Sequence, residues 1–201
     1  MSDSVAVQKL AIVDTIKDGI SIGIKNFGPI LVNVILWMLT IWIPYLNVGT
    51  TIGLGVGIIS KASRGEPISM TEIFDPKYRK YMGEFFLVSG LISLGAGIGI
   101  AFFIIPGIVI SLAWSLATLF VVDKGKNPME AISISNNCTY GYKWKIFGAI
   151  FLATLAYTIL AVIFGLIPIL GPILLFAASV LYMLIIIGIQ ASIYKQLAEG
   201  I

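Results

Sequence analysis

Catalysis needs side chains that donate, accept or attack, and this chain places few of them together. It has no histidine, one cysteine (Cys138), and 10 acidic residues against 13 Lys and Arg. A single thiol excludes an internal disulfide and any multi-cysteine metal site. No acid, base and nucleophile stand at a spacing that assembles a catalytic set, so no catalytic, cofactor-binding or metal residue is assigned. The run Gly53-Leu54-Gly55-Val56-Gly57 has the glycine content of a phosphate loop, but no strand precedes it and its surroundings are apolar. A formal charge of +3 is far from the basic stripe that nucleic acid requires. Cys138 reads as an inert thiol, with lipidation as the sharper alternative.

Three weaker constellations remain. Arg64, Lys77, Arg79 and Lys80 could hold anionic lipid headgroups, or could belong to a solvated loop. Asn33, Ser93, Ser115 and Thr154 are polar groups in apolar stretches, and could line a solute path if they share a cavity. Otherwise the hydroxyls bond back to their own helix, and the Asn33 amide seeks an interhelical partner. Gly49, Gly53 and Gly57, and again Gly95 and Gly99, are spaced by four residues, which lets helices approach closely within a subunit or between subunits. The apolar stretches hold no ionisable residue beyond Glu84 at the edge of one, which argues against proton coupling.

The elements that must carry these residues are set by the solvent. The chain is 58% hydrophobic and 11% charged, with mean hydropathy +1.01. About 25% charge is usual for a soluble domain, so lipid must replace water around much of this surface. All charged residues fall in segments 1–25, 61–84, 123–145 and 195–201. Between them lie uncharged blocks of 35, 38 and 49 residues, each too long for one span of about 20 residues and suited to two. Each block has a proline turn near its middle, marked by Pro44, by Pro106, and by Pro168 with Pro172. Single crossings would divide the 13 Lys and Arg almost evenly between the two sides, whereas hairpins put all of them on one side. The positive-inside rule selects hairpins with that side cytoplasmic. The expected fold is all-α: a polytopic membrane protein of six transmembrane helices as three hairpins, with amphipathic interfacial helices and both termini cytoplasmic. No cleavable signal is visible, because charges interrupt the first 25 residues. The first block allots about 17 residues per helix, roughly 25 Å against a hydrocarbon core of about 30 Å. Whether the first hairpin crosses fully or re-enters therefore stays open.

Pro44, Pro106 and Pro168 are spaced by 62 and 62 residues, with Phe27, Phe85 and Phe147 ahead of each hairpin. Pseudo-repeats of a single domain are expected at roughly 1–64, 65–125 and 126–201. The connecting segments read as amphipathic. Ile12, Ile16, Ile20 and Ile24 form one face of a helix whose other face holds Asp14, Lys17, Asp18, Ser21 and Lys25. Asn127-Pro128 reads as the cap and first turn of a second such helix, and Asp75-Pro76 breaks the middle one.

The stretch from Ala113-Trp114 through Val121-Val122-Asp123, Pro128-Met129-Glu130-Ala131 and Tyr142-Lys143-Trp144-Lys145 to Gly148 resembles a broad group of prokaryotic membrane proteins. That group includes the YciC-type proteins and the membrane domain attached to some glycerophosphodiester phosphodiesterases. Ser135 takes the place of the serine in its polar helix, and Ile43-Pro44-Tyr45-Leu46-Asn47 is similar as well. The resemblance implies a six-helix protein of a prokaryotic plasma membrane and, without the phosphodiesterase catalytic domain, no hydrolase. The expected function is non-enzymatic: self-association, or organisation of lipid or protein partners. A small transporter or channel for an apolar or lipid-like solute is the alternative. Membrane lipids and further copies of the chain are the expected partners; nucleic acid is not.

Overall fold

The computed structural model describes residues 10–198. Asp3, Lys9 and the chain ends, which the expected topology places in the cytoplasm, lie outside the described residues. The order is α1 (Ile12–Lys25), α2 (Phe27–Thr40), α3 (Pro44–Ile52), a π-helical stretch Gly53–Gly57, α4 (Ile58–Arg64), a 3-10 turn Glu72–Phe74 and α5 (Lys77–Lys80). It continues with α6 (Met82–Phe102), α7 (Ile104–Ala113), α8 (Ala117–Lys124), α9 (Pro128–Thr139), α10 (Lys143–Gly165) and α11 (Gly171–Ala198). The described residues are all-helical, without strands. Four helices are long and apolar enough to cross a membrane: α6, the joined α7–α8, α10 and α11. The pair α1 and α2, bent by 76° at Asn26, would make a fifth if read as one broken span. By itself α2 has 14 residues and a length of about 21 Å, short of the hydrocarbon thickness.

The turns follow the prolines only loosely. Pro44 opens α3 and Pro168 lies in the turn between α10 and α11, while Pro172 is the second residue of α11. Between α6 and α7, however, the chain turns at Phe103, whose backbone is extended (φ −158°, ψ 144°). Pro106 is the third residue of α7, where its missing N–H costs nothing because first-turn amides have no intrahelical partner. Helices α4 and α8 end alike, on Gly65 (φ 67°) and Gly125 (φ 64°), a left-handed cap that a β-carbon would strain.

The helices form three pairs: α2 with α3–α4, α6 with α7–α8, and α10 with α11. Each pair touches both others, through α4 with α11, α8 with the π-helical stretch, and α7 with α10. The amphipathic segments close this ring in a regular way. Each packs on the pair before the one it leads into, counted cyclically. The 3-10 turn and α5 lie on α2 and α3, α9 lies on α6, α7 and α8, and α1 lies on α10 and α11.

These segments are therefore docked into the bundle, where the sequence suggests helices lying free at the lipid boundary. The reason is chemical. In α9, Ser135 and Thr139 are fully buried. They face the break Trp114–Leu116, where the join of α7 and α8 frees backbone groups. Ser135 Oγ donates to the Ala113 carbonyl (2.7 Å) and accepts from the Leu116 N–H (3.1 Å), while Thr139 also donates to Ala113 (3.2 Å). Buried backbone groups of this kind must find a partner within the protein, and the docked helix supplies it. Asn127 caps α9 by accepting from the Glu130 N–H at 2.9 Å.

Candidate functional site

The second member of each pair brings one polar residue to the charged end of the molecule, and the three meet. Arg64 ends in α4, Asp123 in α8, and Tyr194 lies near the end of α11. Arg64 Nη1 reaches both carboxylate oxygens of Asp123 (2.7 and 2.8 Å), and its Nε donates to Glu66 at 2.6 Å. The Tyr194 hydroxyl donates to Asp123 Oδ2 at 2.8 Å, and its ring meets Phe120 edge-on. Three helix ends far apart in sequence thus share one carboxylate, which ties the ring at this end.

A second polar cluster is centred on Glu72, whose side chain is only 3% exposed. It accepts from Lys61 (2.7 Å), Lys77 (3.1 Å) and the Tyr78 hydroxyl (2.6 Å). Burial alone would raise the Glu72 pKa, but the hydrogen bonds from Lys61, Tyr78 and Lys77 outweigh it and lower the value to about 2. Burial first, and then the bond to Glu72, push the Tyr78 hydroxyl above its ordinary range, so it remains a donor. Asn33, fully buried in α2, fixes the same segment: its amide donates to the Ser69 carbonyl (2.7 Å) and its oxygen accepts from the Ile73 N–H (3.0 Å). The polar segment climbs further still. Arg79 stacks over the Tyr45 ring at 5.6 Å and fills the space beside Gly49, one to two turns past Pro44.

The residues expected to contact headgroups also have partners within the chain, while Arg64 and Lys77 stay 41% and 48% exposed. Arg64 is held by two carboxylates, Lys77 by Glu72 and Asp75, and Arg79 by Tyr45. Lys80 lies over the Tyr81 ring at 5.3 Å. The four polar residues proposed for a solute path do not converge. Asn33 binds the connecting segment, Ser93 faces outward on α6, Ser115 bonds back to the Leu112 carbonyl, and Thr154 pairs with Tyr182.

The five glycines are covered by their own chain. Gly49 faces Arg79, Gly53 faces Ile73 and Tyr78, Gly57 faces Tyr78, Gly95 faces Trp114, and Gly99 faces Gly107. A backbone-to-backbone approach that those five glycines did not single out lies between α1 and α11. There the Gly188 Cα abuts the Gly19 carbonyl, and Gly23 faces the Leu184 carbonyl. The signal was present as Thr15, Gly19 and Gly23 at four-residue spacing on a face between the isoleucines and the charges. Cys138 on α9 is half-buried, and burial raises its thiol pKa, which suits an inert role.

One concave surface on the long helices is apolar. A groove of about 460 Å³ runs between α1, α10 and α11, lined by Ile16, Ile20, Ala156, Leu160, Leu174 and Leu181 among others. Along its wall Tyr157 and Tyr182 stack at 4.4 Å. Their hydroxyls pair with Ser179 (2.8 Å) and Thr154 (2.9 Å). Against known proteins, the chain matches no family model, no curated protein and no solved structure.

Proposed function

We propose that this chain is a non-enzymatic integral membrane protein that organises bilayer lipid, and that its α1–α10–α11 groove holds a lipid acyl chain. The groove carries this reading. It is apolar, and its rim is continuous with the exposed Leu155, Ile159, Leu160, Leu174 and Leu181 on the outward faces of α10 and α11. The hydroxyls beside it are paired with one another, so they present an apolar wall to an occupant. Self-association has less support, because the glycine faces that could mediate it are filled from within the chain. The transporter reading loses its cavity with the dispersal of Asn33, Ser93, Ser115 and Thr154.

The topology that accompanies this reading has four crossings, α6, α7–α8, α10 and α11, with the charged end cytoplasmic. Six crossings would require α2 to span in 14 residues. They would also leave Arg79, stacked on Tyr45, close to the far side of the bilayer. A first pair that enters and returns on the cytoplasmic side avoids both. Polar partners near its tip support it, since Trp37 Nε1 donates to Thr51 and Thr51 donates to Asn47, each at 2.9 Å.

Two experiments test these statements. In a Cys138→Ser background, single cysteines at Ile105 and Leu170, both exposed, should react with an impermeant thiol reagent added outside, while one at Asn47 should not. Labelling at Asn47 would restore six crossings. For the groove, Ala156→Trp with Ala177→Trp should leave the protein folded and reduce the lipid that copurifies with it. Unchanged lipid retention would refute the acyl-chain assignment.

A further inference from the structure

Two cavities open on the charged end, of about 360 and 320 Å³, and they share Ser63, Arg64 and Lys195. The first adds Asp123, Lys124 and Tyr194, and the second adds Asp18, Ser21, Lys25 and Asn26. Their combined lining holds four cations, Lys25, Arg64, Lys124 and Lys195, against two carboxylates. Asp123 is already committed to Arg64 and Tyr194. Among the described residues Lys25, Lys124 and Lys195 enter no ion pair. They come from the ends of α1, α8 and α11, so folding gathers them from three separate segments. Three ammonium groups without a carboxylate partner among the described residues, set around a concave surface, repel one another and raise the local potential for an anion. Arg64, fixed by Asp123 and Glu66, forms a rigid floor between the two halves.

We propose that this double cavity binds a phosphate anion, with Lys25, Lys124 and Lys195 as its donors. The phosphate could belong to an anionic phospholipid headgroup or be free in solution; the chemistry recognised is the same, a compact oxyanion met by three ammonium groups. The lipid source rests on the membrane reading above, whereas the site itself does not.

The test uses the full chain in nanodiscs of neutral phosphatidylcholine doped with phosphatidylglycerol, with retained lipid counted by native mass spectrometry. Wild type should enrich phosphatidylglycerol. At about 1 kcal/mol per lysine, each of Lys25→Gln, Lys124→Gln and Lys195→Gln should cost about fivefold in that preference. The triple variant should abolish it. A variant with equal charge loss elsewhere, Lys17→Gln with Lys143→Gln and Lys145→Gln, should keep it. If the triple variant does not fold, the three single variants decide. In a second arm, inorganic phosphate is titrated calorimetrically into the protein in phosphatidylcholine alone. Heat there, lost in the triple variant, without phosphatidylglycerol enrichment, assigns the site to soluble phosphate. Absence of both signals, or equal losses in both sets of variants, overturns the proposal. The groove-filling variant Ala156→Trp with Ala177→Trp should lose total lipid yet keep the headgroup preference, which separates failure of the groove from failure of this site.

Discussion

In the first helix pair, Gly53 and Gly57 open a slot that Ile73 and Tyr78 fill, and the segment bearing them is held by Asn33 and by the buried Glu72 cluster. In the third pair, α11 runs unbroken for 28 residues, and α1 meets it backbone to backbone at Gly19 and Gly188. Both use glycine to bring chain close to chain, but with different adhesives. The first pair is short and is clothed by a polar segment whose charges neutralise one another. The third is long, exposes an apolar surface, and relies on close packing with a few hydroxyl pairs. Apolar association gains little inside a bilayer, so in the proposed membrane setting each pair needs something else, and the depth assigned to it determines what is available. Near water, ion pairs and amides serve. Further in, only backbone approach and paired hydroxyls remain.

The contrast breaks most readily at Glu72. Glu72→Ala leaves the Tyr78 hydroxyl and the partly exposed Lys61 and Lys77 around a vacancy, and the loss of these charge-assisted hydrogen bonds costs about 3 kcal/mol. Hydrogen exchange should rise at Ile73 and through α3, while α10 and α11 stay protected. Equal loosening of both pairs would show that the two are not separately held. The pH dependence has a definite sign. Glu72 has its folded pKa lowered to about 2 from 4.5, so its contribution is complete above the unfolded value and is lost as pH falls. The protection factor at Ile73, taken relative to the intrinsic exchange rate at each pH, should therefore fall between about pH 4.5 and 2 in wild type, and Glu72→Gln should remove that step.

Gly188→Ala is the matching blow to the third pair. Its β-carbon would collide with the Gly19 carbonyl, a backbone group that cannot move aside. Overpacking of this kind costs about 1–3 kcal/mol or more, which should appear as a lowered midpoint of thermal unfolding in micelles. The release should be confined to α1, read as new protease sensitivity between Ile12 and Lys25. Asn33→Leu should follow, at about 1–3 kcal/mol, because it strands the Ile73 N–H and Ser69 carbonyl. Its exchange signature should resemble that of Glu72→Ala, only weaker.

Much of this contrast was legible in composition. The exclusion of ionised side chains from hydrocarbon marked out the apolar blocks, and α6, α10 and α11 lie where the uncharged runs placed them. Arg64-Gly65 and Lys124-Gly125 stand alike in the sequence, each a basic residue followed by glycine, and the structure gives both glycines left-handed backbones. Hidden were the places where polar residues work as internal partners. Asn33 reads as an amide seeking a partner on another helix until residues 69–73 are seen to fold back on it. Ser135 and Thr139 look like the wet face of a helix until the break at Trp114–Leu116 supplies their acceptor. Both contacts join residues 19 to 40 positions apart in sequence and depend on docking that no periodicity encodes. The charged end was hidden for the same reason, since the meeting of Arg64, Asp123 and Tyr194 is a property of the closed ring.

The smallest effect belongs to the hydroxyl pairs of the third pair, and it sharpens the comparison by its size. Tyr182→Phe removes the bond to Thr154, which keeps its own bond to the Ile150 carbonyl at 2.8 Å, and it leaves the stack on Tyr157 intact. Intramembrane hydrogen bonds of this kind average about 0.6 kcal/mol, because the separated helices find other partners. The substitution should shift the unfolding midpoint only slightly and leave α10–α11 exchange unchanged. A loss comparable with that of Glu72→Ala would mean that polar contacts, and not glycine packing, hold the third pair, and the distinction drawn between the two would fail at its deeper end.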